Sequence, residues 1–290
     1  MELEAYGVEK IYRPEHGMQM GLEGMIDDVF QRVRAWPRPE ISAQQLSTRD
    51  HKDIASMISL LEEAVDHPDK VQALRKIWKQ GDSTAPVLGI TGTGGAGKSS
   101  LTDELLNRFL RQLPDLDIAV LAVDPSSPIA GGSILGDKTR MEELSRRDEA
   151  FIRPSPAEGN LGGVAQKTRE TMLLCEAAGY DVILVETVGV GQSEYQVAGM
   201  VDFFMVLMLP GGGDELQGIK KGILELADAL VINKADGESE NLAKLSKTHY
   251  TSAMNLLRHT SFWTPRVMTC SAIKSVNIDV VWGMVLDYYF

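Results

Sequence analysis

The stretch GTGGAGKSS, residues 92–100, decides the fold of this chain. It follows the apolar run VLGIT, which is typical of a buried strand. Its last residue, Ser100, begins the segment 100–110, where the apolar spacing is helical. From Gly92 to Ser99 it satisfies the spacing GxxxxGK followed by Ser or Thr. A glycine-rich turn between a strand and a helix directs backbone N–H groups inward and adds the positive end of the helix dipole. The stretch therefore predicts a loop that wraps a polyphosphate, whereas a flexible turn without a ligand is the alternative.

Individual residues of this loop have distinct predicted roles. We expect the Lys98 ammonium to reach the β and γ phosphates and to act in their transfer. The Ser99 hydroxyl is expected to bind Mg²⁺. Further contacts to the nucleotide are expected from the small residues of the loop and the start of the helix, namely Gly94, Gly95, Ala96, Gly97 and Ser100.

Composition and charge argue against several function classes. Across 290 residues, 41 Asp and Glu outweigh 29 Lys and Arg, and the net charge of -12 disfavours binding to nucleic acid. Cys175 and Cys270 lie far apart, so neither a disulfide framework nor a thiolate metal site is expected. The longest apolar run, Phe203 to Leu209, falls short of the roughly 20 residues of a membrane span. We therefore expect a cytoplasmic protein without nucleic-acid or membrane partners.

Short apolar runs alternate with helical stretches from Ala85 onward. Runs that are apolar on both faces and separated by helices predict a mainly parallel sheet covered by helices on both faces, which is an α/β fold. In such sheets ligands bind beyond the carboxyl ends of the strands. The predicted strands are VLGIT, DIAVLAV, AFIRP, DVILVET, VDFFMVLML, ALVIN and RVMTC.

The N-terminal part of the chain has a different organisation. Residues 1–40 read as an extended arm or linker with a helix from Leu22 to Trp36, closed by the breaker WPRPE at 36–40. Residues 41–290 form the predicted phosphate-binding domain. Its first part, residues 41–84, is predicted to be a helical collar with two amphipathic helices.

The tetrapeptide NKAD directly follows the predicted strand ALVI. The Asp236 carboxylate can accept hydrogen bonds from both N1–H and the exocyclic amine of guanine, a donor pair that adenine lacks. The stem of Lys234 is expected over the base plane, and Asn233 is expected to tie this loop to the phosphate loop. Ser271 and Ala272, after the last predicted strand, are expected to line the base. Without a phosphate loop upstream, a turn with a solvated Asp would be the simpler interpretation.

The segment DVILVETVGVGQSEY, residues 181–195, lies between these two motifs. Glu186 ends a predicted strand, and Gly189 follows it at the spacing in which a carboxylate faces the Mg²⁺ shell and a glycine N–H meets the γ phosphate. Thr187 is placed in the same metal shell. Because Glu stands where Asp is usual, coordination directly or through water both stay open. Gln192 is a candidate for positioning the hydrolytic water, or it is only a loop residue.

Two further carboxylates are candidates for the metal shell. Asp124 closes the run IAVLAV, although it would also suit a cap of the turn through Pro125. Asp137 and Arg140 lie one helical turn apart in GGSILGDKTRM. We interpret Asp137 as a carboxylate near Mg²⁺ and Arg140 as a phosphate contact; a surface ion pair is the alternative.

Six motifs in this order resemble the GTPases that chaperone adenosylcobalamin-dependent acyl-CoA mutases: ITGTGGAGKSS, AVDPSS, GDKTRM, VETVGVGQSE, PGGGDELQGIKKGILELAD and NKAD. The resemblance covers about residues 47–285. The opening segment YGVEKIYRPEHGMQMGLEGMIDDV is similar to the fused isobutyryl-CoA mutase, where a cobalamin-binding domain leads into the G domain.

This resemblance implies a P-loop GTPase fold of the SIMIBI class that binds GTP or GDP with Mg²⁺. It also implies that hydrolysis gates the delivery of adenosylcobalamin to a mutase, in cis or in trans, and the release of damaged cofactor. The chain carries no DxHxxG motif, so adenosylcobalamin is expected only through the partner mutase. A homodimer is left open.

Three other functions suit a guanine-nucleotide fold. A GTP-dependent metal-insertion protein would need a Cys/His cluster, which two isolated cysteines do not supply. A small-molecule kinase usually takes ATP, which NKAD disfavours. An interaction module would bind GTP only as a structural ligand.

Overall fold

The computed structural model describes most of the chain. The described residues are 9–35, 50–62, 69, 72, 75–76, 78, 85–125, 141–157, 161–187, 193–211, 221–256 and 262–289. By its internal contacts the chain divides into two units, residues 1–41 and 42–290, and each is described by itself.

The first unit contains one long helix, α1, at Pro14–Ala35. It begins earlier than the predicted start at Leu22, so the expectation of an extended segment is wrong for residues 14–21, whereas residues 9–13 are not helical. Proline suits the first position of a helix. The backbone N–H of Arg13 donates to Nδ1 of His16 at 2.9 Å. Gly21 interrupts the helix with φ 66° and ψ 175°. The predicted start therefore coincides with this kink.

Seven strands in the described part of the second unit form a single sheet, as the apolar runs predict. Every strand pairing is parallel, and the order across the sheet is β3-β2-β4-β1-β5-β6-β7. The strands are β1 Val87–Gly92, β2 Ile118–Pro125, β3 Ala150–Ala157, β4 Val182–Thr187, β5 Phe203–Met208, β6 Ala229–Ile232 and β7 Arg266–Thr269.

Alpha helices precede, follow or connect most of these strands. In the described residues they are α2 His51–Glu62, α3 Lys98–Gln112, α4 Leu161–Ala178, α5 Ser193–Ala198, α6 Lys221–Leu226, α7 Glu240–Leu256 and α8 Ile278–Tyr289. Helix α2 is the first of the two predicted collar helices, whereas the second lies largely outside the described residues. No helix in the described ranges has both the length and the apolar character needed to cross a bilayer.

The centre of the sheet is buried along its whole length. Every residue of β1, β4 and β5 is buried, which explains why these runs are apolar on both faces. Strand β1 lies between β4 and β5, so the glycine-rich stretch leaves the sheet at its middle. Ile90 pairs with Glu186 of β4 in the register of the two strands. The fold therefore brings the end of β4 beside the start of the loop.

Candidate nucleotide site

The glycine-rich loop joins β1 to α3, as the sequence predicts. Gly97 is the N-cap residue of α3 and has a left-handed φ of 84°. A Cβ at Gly97 would lie 2.6 Å from Nδ2 of Asn233. Both the backbone angle and this close approach require glycine here. The N-terminal end of α3 therefore presents its backbone N–H groups in a form that suits an anion.

Lys98, the first residue of α3, folds back over the loop. Its Nζ donates to the carbonyl oxygen of Gly92 at 2.9 Å and to that of Thr93 at 3.3 Å. The side chain is buried, with 8% exposure, so its ammonium lies inside the loop and not in solvent. This position supports the predicted role of Lys98 as a phosphate ligand, since the carbonyl oxygens that hold it are weaker partners than a phosphate.

Ser99 contacts the carboxylate at the end of β4. Its Oγ donates to Oε1 of Glu186 at 2.8 Å, and Thr102 Oγ1 donates to Oε2 of the same carboxylate at 3.2 Å. Glu186 is 2% exposed, and Thr102 is fully buried. The structure thus brings together two of the five residues of the predicted metal shell, Ser99 and Glu186. Sequence reasoning missed Thr102, although its position three residues after Ser99 on the same helix face was a usable signal.

Thr187, the next residue of β4, is fully buried. Its Oγ1 donates to Oγ1 of Thr91 at 2.7 Å. Thr91 is the last residue before the glycine-rich stretch and was also missed by sequence reasoning. This contact links the start of the predicted γ-phosphate segment to the base of the phosphate loop, and a metal role of Thr187 stays a prediction.

Asn233 joins three loops. Its Nδ2 donates to the carbonyl oxygen of Ala96 at 2.8 Å, and its Oδ1 accepts the N–H of Ala272 at 3.1 Å. The Cys270 thiol lies 3.5 Å from the same Oδ1. The side chain is 2% exposed, so these contacts replace water completely. The tie between NKAD and the phosphate loop that we expected from the sequence is present.

Asp236 is held by the loop that follows β7. Ser271 Oγ donates to Oδ1 of Asp236 at 2.6 Å, and Ser271 itself is 1% exposed. The N–H of Ala235 donates to the carbonyl oxygen of Cys270 at 2.9 Å, which joins the two loops through their backbones. Lys234 has a left-handed φ of 59°, a strained conformation for a non-glycine residue that is common at ligand sites. The arrangement orients Oδ1 of the carboxylate, and among the described residues Oδ2 has no donor.

Several predicted site residues are not brought into this arrangement by the described part of the structure. Asp137, Arg140, Gly189 and Gln192 lie outside the described residues. Asp124 lies near the end of β2, with its backbone paired to β3, and its side chain is not described. Their assignments stay predictions.

Both cysteines of the chain are free thiols, and both are buried. Burial raises the pKa of the Cys270 thiol to about 12, and burial with a smaller effect of the Glu176 charge raises the pKa of Cys175 to about 12. A thiol with such a pKa is protonated near neutral pH and is a poor nucleophile. In the described part of the chain no group of three or more His, Cys, Asp or Glu side chains is arranged to hold a metal ion.

Comparisons with known proteins identify the family. The family described as Methylmalonyl Co-A mutase-associated GTPase MeaB matches residues 54–289. GTPase ArgK of Escherichia coli is 55% identical over 202 residues, which cover 69% of this chain and 60% of that protein. The mitochondrial methylmalonic aciduria type A homolog of Mus musculus is 48% identical over 219 residues, or 75% of this chain and 52% of that one. The chain thus spans less than two thirds of either relative.

A solved structure agrees with these sequence matches. The crystal structure of a protein described as LAO/AO transport system kinase superposes with a TM-score of 0.69 and 40% identity, covering 85% of this chain and 73% of that one. Taken with the phosphate loop, the seven-stranded parallel sheet and the Asn233 tie, these matches confirm the predicted fold class, a SIMIBI-type P-loop fold. The chain belongs to the MeaB family of methylmalonyl-CoA mutase-associated GTPases.

Proposed function

We propose that this chain binds GTP and GDP together with Mg²⁺ and hydrolyses GTP. The observation that carries the proposal is the Asn233 side chain, which fixes the NKAD loop to the phosphate loop through Ala96 at 2.8 Å. Buried hydrogen bonds thereby set the distance between the phosphate loop and Asp236, the carboxylate proposed to bind guanine. Asp236, oriented by Ser271, selects guanine, and Lys98 with the loop N–H groups binds the phosphates.

The predicted metal residues fit Mg²⁺ by their chemistry. Every predicted metal residue offers an oxygen, as a hard divalent cation requires: Ser99, Asp124, Asp137, Glu186 and Thr187. The buried Glu186 carboxylate beside the Ser99 hydroxyl supplies negative charge in a place of low exposure. When bound, Mg²⁺ would neutralise charge on the β and γ phosphates and orient their oxygens.

The protein's own residues act by positioning and charge. Phosphoryl transfer to water needs in-line geometry and positive charge around the γ phosphate more than a strong base. Lys98 supplies one positive charge, and the N-terminal end of α3 supplies aligned N–H groups. Gly189 is proposed to donate its N–H to the γ phosphate, Arg140 to contact a phosphate, and Gln192 to orient the attacking water. Turnover is expected to be slow without a partner, since a switch must hold its state until contacted.

We further propose that GTP hydrolysis gates the loading of adenosylcobalamin onto an acyl-CoA mutase of the methylmalonyl-CoA or isobutyryl-CoA type, and the release of damaged cofactor. The description of the matching family, which names methylmalonyl-CoA mutase, supports this partner class. The resemblance of residues 1–40 to the end of a cobalamin-binding domain supports a contact in cis, although a mutase in trans and a homodimer both stay open. Residues 41–290 would then be the GTPase domain.

The rival functions are less well supported. A metal-insertion GTPase would need a Cys/His cluster, and the described ranges contain no such group. A small-molecule kinase usually takes ATP, whereas Asp236 of NKAD is proposed to select guanine. An interaction module would bind GTP but not hydrolyse it.

Single-turnover hydrolysis of GTP, measured with and without an acyl-CoA mutase and with ATP in parallel, tests the proposal. We expect slow hydrolysis of GTP, no hydrolysis of ATP, and acceleration when the mutase is added. Binding without hydrolysis under every condition would favour the interaction module. Hydrolysis that no mutase accelerates, with no physical contact to one, would contradict the chaperone function and leave the GTPase assignment intact.

A further inference from the structure

Two hydroxyls of α3 hold one buried carboxylate. Ser99 Oγ donates to Oε1 of Glu186 at 2.8 Å, and Thr102 Oγ1 donates to Oε2 at 3.2 Å. Ser99 and Thr102 are three residues apart and so lie on the same face of the helix. Each oxygen of the carboxylate therefore has its own hydroxyl donor.

The burial of these groups makes the contacts energetically important. Exposure is 8% for Ser99, 2% for Glu186 and none for Thr102. A charged carboxylate in such a place is stable only when hydrogen bonds replace its lost water. Glu186 belongs to a central strand and Thr102 to the helix that follows the phosphate loop, so neither backbone can shift easily. The direction of the carboxylate is thus fixed by rigid elements on both sides.

The Ser99 hydroxyl has one proton and two acceptor lone pairs. Because its proton is donated to Glu186, its lone pairs are left for a cation on the other side of the oxygen. A group that accepts a hydrogen bond from a metal ligand also makes that ligand a better electron-pair donor to the metal. In this geometry Glu186 orients the Ser99 hydroxyl, and Thr102 orients Glu186.

We propose that Thr102 is a positioning residue that sets the Mg²⁺ affinity of the nucleotide complex by orienting Glu186, which in turn orients the Ser99 hydroxyl. The proposal rests on the Mg²⁺-nucleotide site proposed above. It deepens that site by assigning Glu186 a role through the Ser99 hydroxyl, which donates to its Oε1. A residue of merely structural importance would change stability without changing the dependence of nucleotide binding on Mg²⁺.

The test measures the affinity of the full chain for a fluorescent GDP analogue as a function of Mg²⁺ concentration. Thr102→Val removes the hydroxyl and keeps the shape, so we expect the Mg²⁺ concentration at half-effect to rise by about tenfold. Affinity for GDP in EDTA is expected to stay unchanged. Thr102→Ser keeps the hydroxyl and should restore the Mg²⁺ dependence of the parent.

Thr171→Val is the matched control. Thr171 is also a buried helical threonine, but its hydroxyl donates to the backbone carbonyl of Lys167 on α4, at 2.9 Å. This control should leave the Mg²⁺ dependence as it is. In a Glu186→Gln background, Thr102→Val should add little to the Mg²⁺ effect, because the proposed action runs through that carboxylate.

The outcomes separate this proposal from the one on which it rests. If the parent protein binds no GDP at any Mg²⁺ concentration, the proposed function fails. If the parent binds GDP and Thr102→Val has the parental Mg²⁺ dependence, only the role of Thr102 is refuted. Should Thr102→Val fail to fold, Thr102→Ala removes the same hydroxyl with less bulk and decides by the same criterion.

Discussion

The Asn233 side chain donates a hydrogen bond to the Ala96 carbonyl oxygen at 2.8 Å, although 137 positions separate them. The other end of the same amide accepts the N–H of Ala272 at 3.1 Å. One buried side chain therefore fixes the phosphate loop, the NKAD loop and the loop after β7 in a single arrangement. We therefore expect phosphate binding and base selection to depend on each other through this amide.

We expect Asn233→Ala to weaken GDP binding by about tenfold or more, since it leaves two buried backbone groups without their partner at a cost of about 1–3 kcal/mol. Isothermal titration calorimetry measures this change. Asn107→Ala is the control, because Asn107 is equally buried but contacts Asp103 and Arg147. It should lower the melting temperature and leave GDP affinity as it was. Parental affinity in Asn233→Ala would contradict the proposed tie.

Gly97→Ala should destabilise the protein by about 1–3 kcal/mol, because a Cβ there meets Nδ2 of Asn233 and the backbone angle is left-handed. GDP binding should fall with it, as the loop must shift to relieve the contact. Urea denaturation and calorimetry provide the two measurements. Gly283→Ala serves as a comparison, since a Cβ at that helical position meets no atom within 4 Å and should raise stability by about 1 kcal/mol. Equal stability of the two variants would argue against the geometry of the loop.

Asp236→Asn should shift the preference from guanine to xanthine nucleotides, because an amide no longer accepts both donors of the guanine edge. Competition between GDP and XDP for a fluorescent analogue measures the change. Ser271→Ala keeps the carboxylate and removes only the bond that orients it, at 2.6 Å. It should weaken guanine binding by about 1–2 kcal/mol without a shift to xanthine. Unchanged GDP affinity in Asp236→Asn would refute the base contact.

Both cysteines should resist thiol reagents in the native protein. Burial raises the pKa of each thiol from 9.0 to about 12, so little thiolate forms at pH 8, where reaction with a disulfide reagent is followed. Two thiols should react only after denaturation. Rapid native labelling of either residue would contradict its burial.

The same shifts predict a loss of stability in alkali. A thiol whose folded pKa is raised stabilises the fold fully below pH 9, and this contribution is lost as pH rises towards 12, where the unfolded chain releases its protons first. Chemical denaturation at several pH values should show this decline. The variant Cys175→Ala with Cys270→Ala should show a shallower one; an identical slope would contradict the assignment.

The local pattern of the sequence was enough to predict the strands and the position of the glycine-rich loop between β1 and α3. Apolar runs of short length, separated by helical spacing, predict a parallel sheet because each strand must be covered on both faces. The glycines of the phosphate loop and the residues of NKAD carry their chemistry in their identity and order. The start of α1 was predicted wrongly, because the helix begins at Pro14 beside a hydrogen bond from the Arg13 N–H to His16 Nδ1, which apolar spacing does not reveal.

Contacts between distant loops could be decided only by the tertiary structure. Thr102 contacts Glu186, 84 positions away in the sequence, because β4 lies next to β1 in the sheet. No local sequence pattern predicts this strand order. For the same reason the Ser271 hydroxyl reaches Asp236 only when β7 lies beside β6. Sequence determined which groups the site contains. The packing of the parallel strands determined which of those groups orient one another, because buried polar groups must take their partners from whatever the fold places beside them.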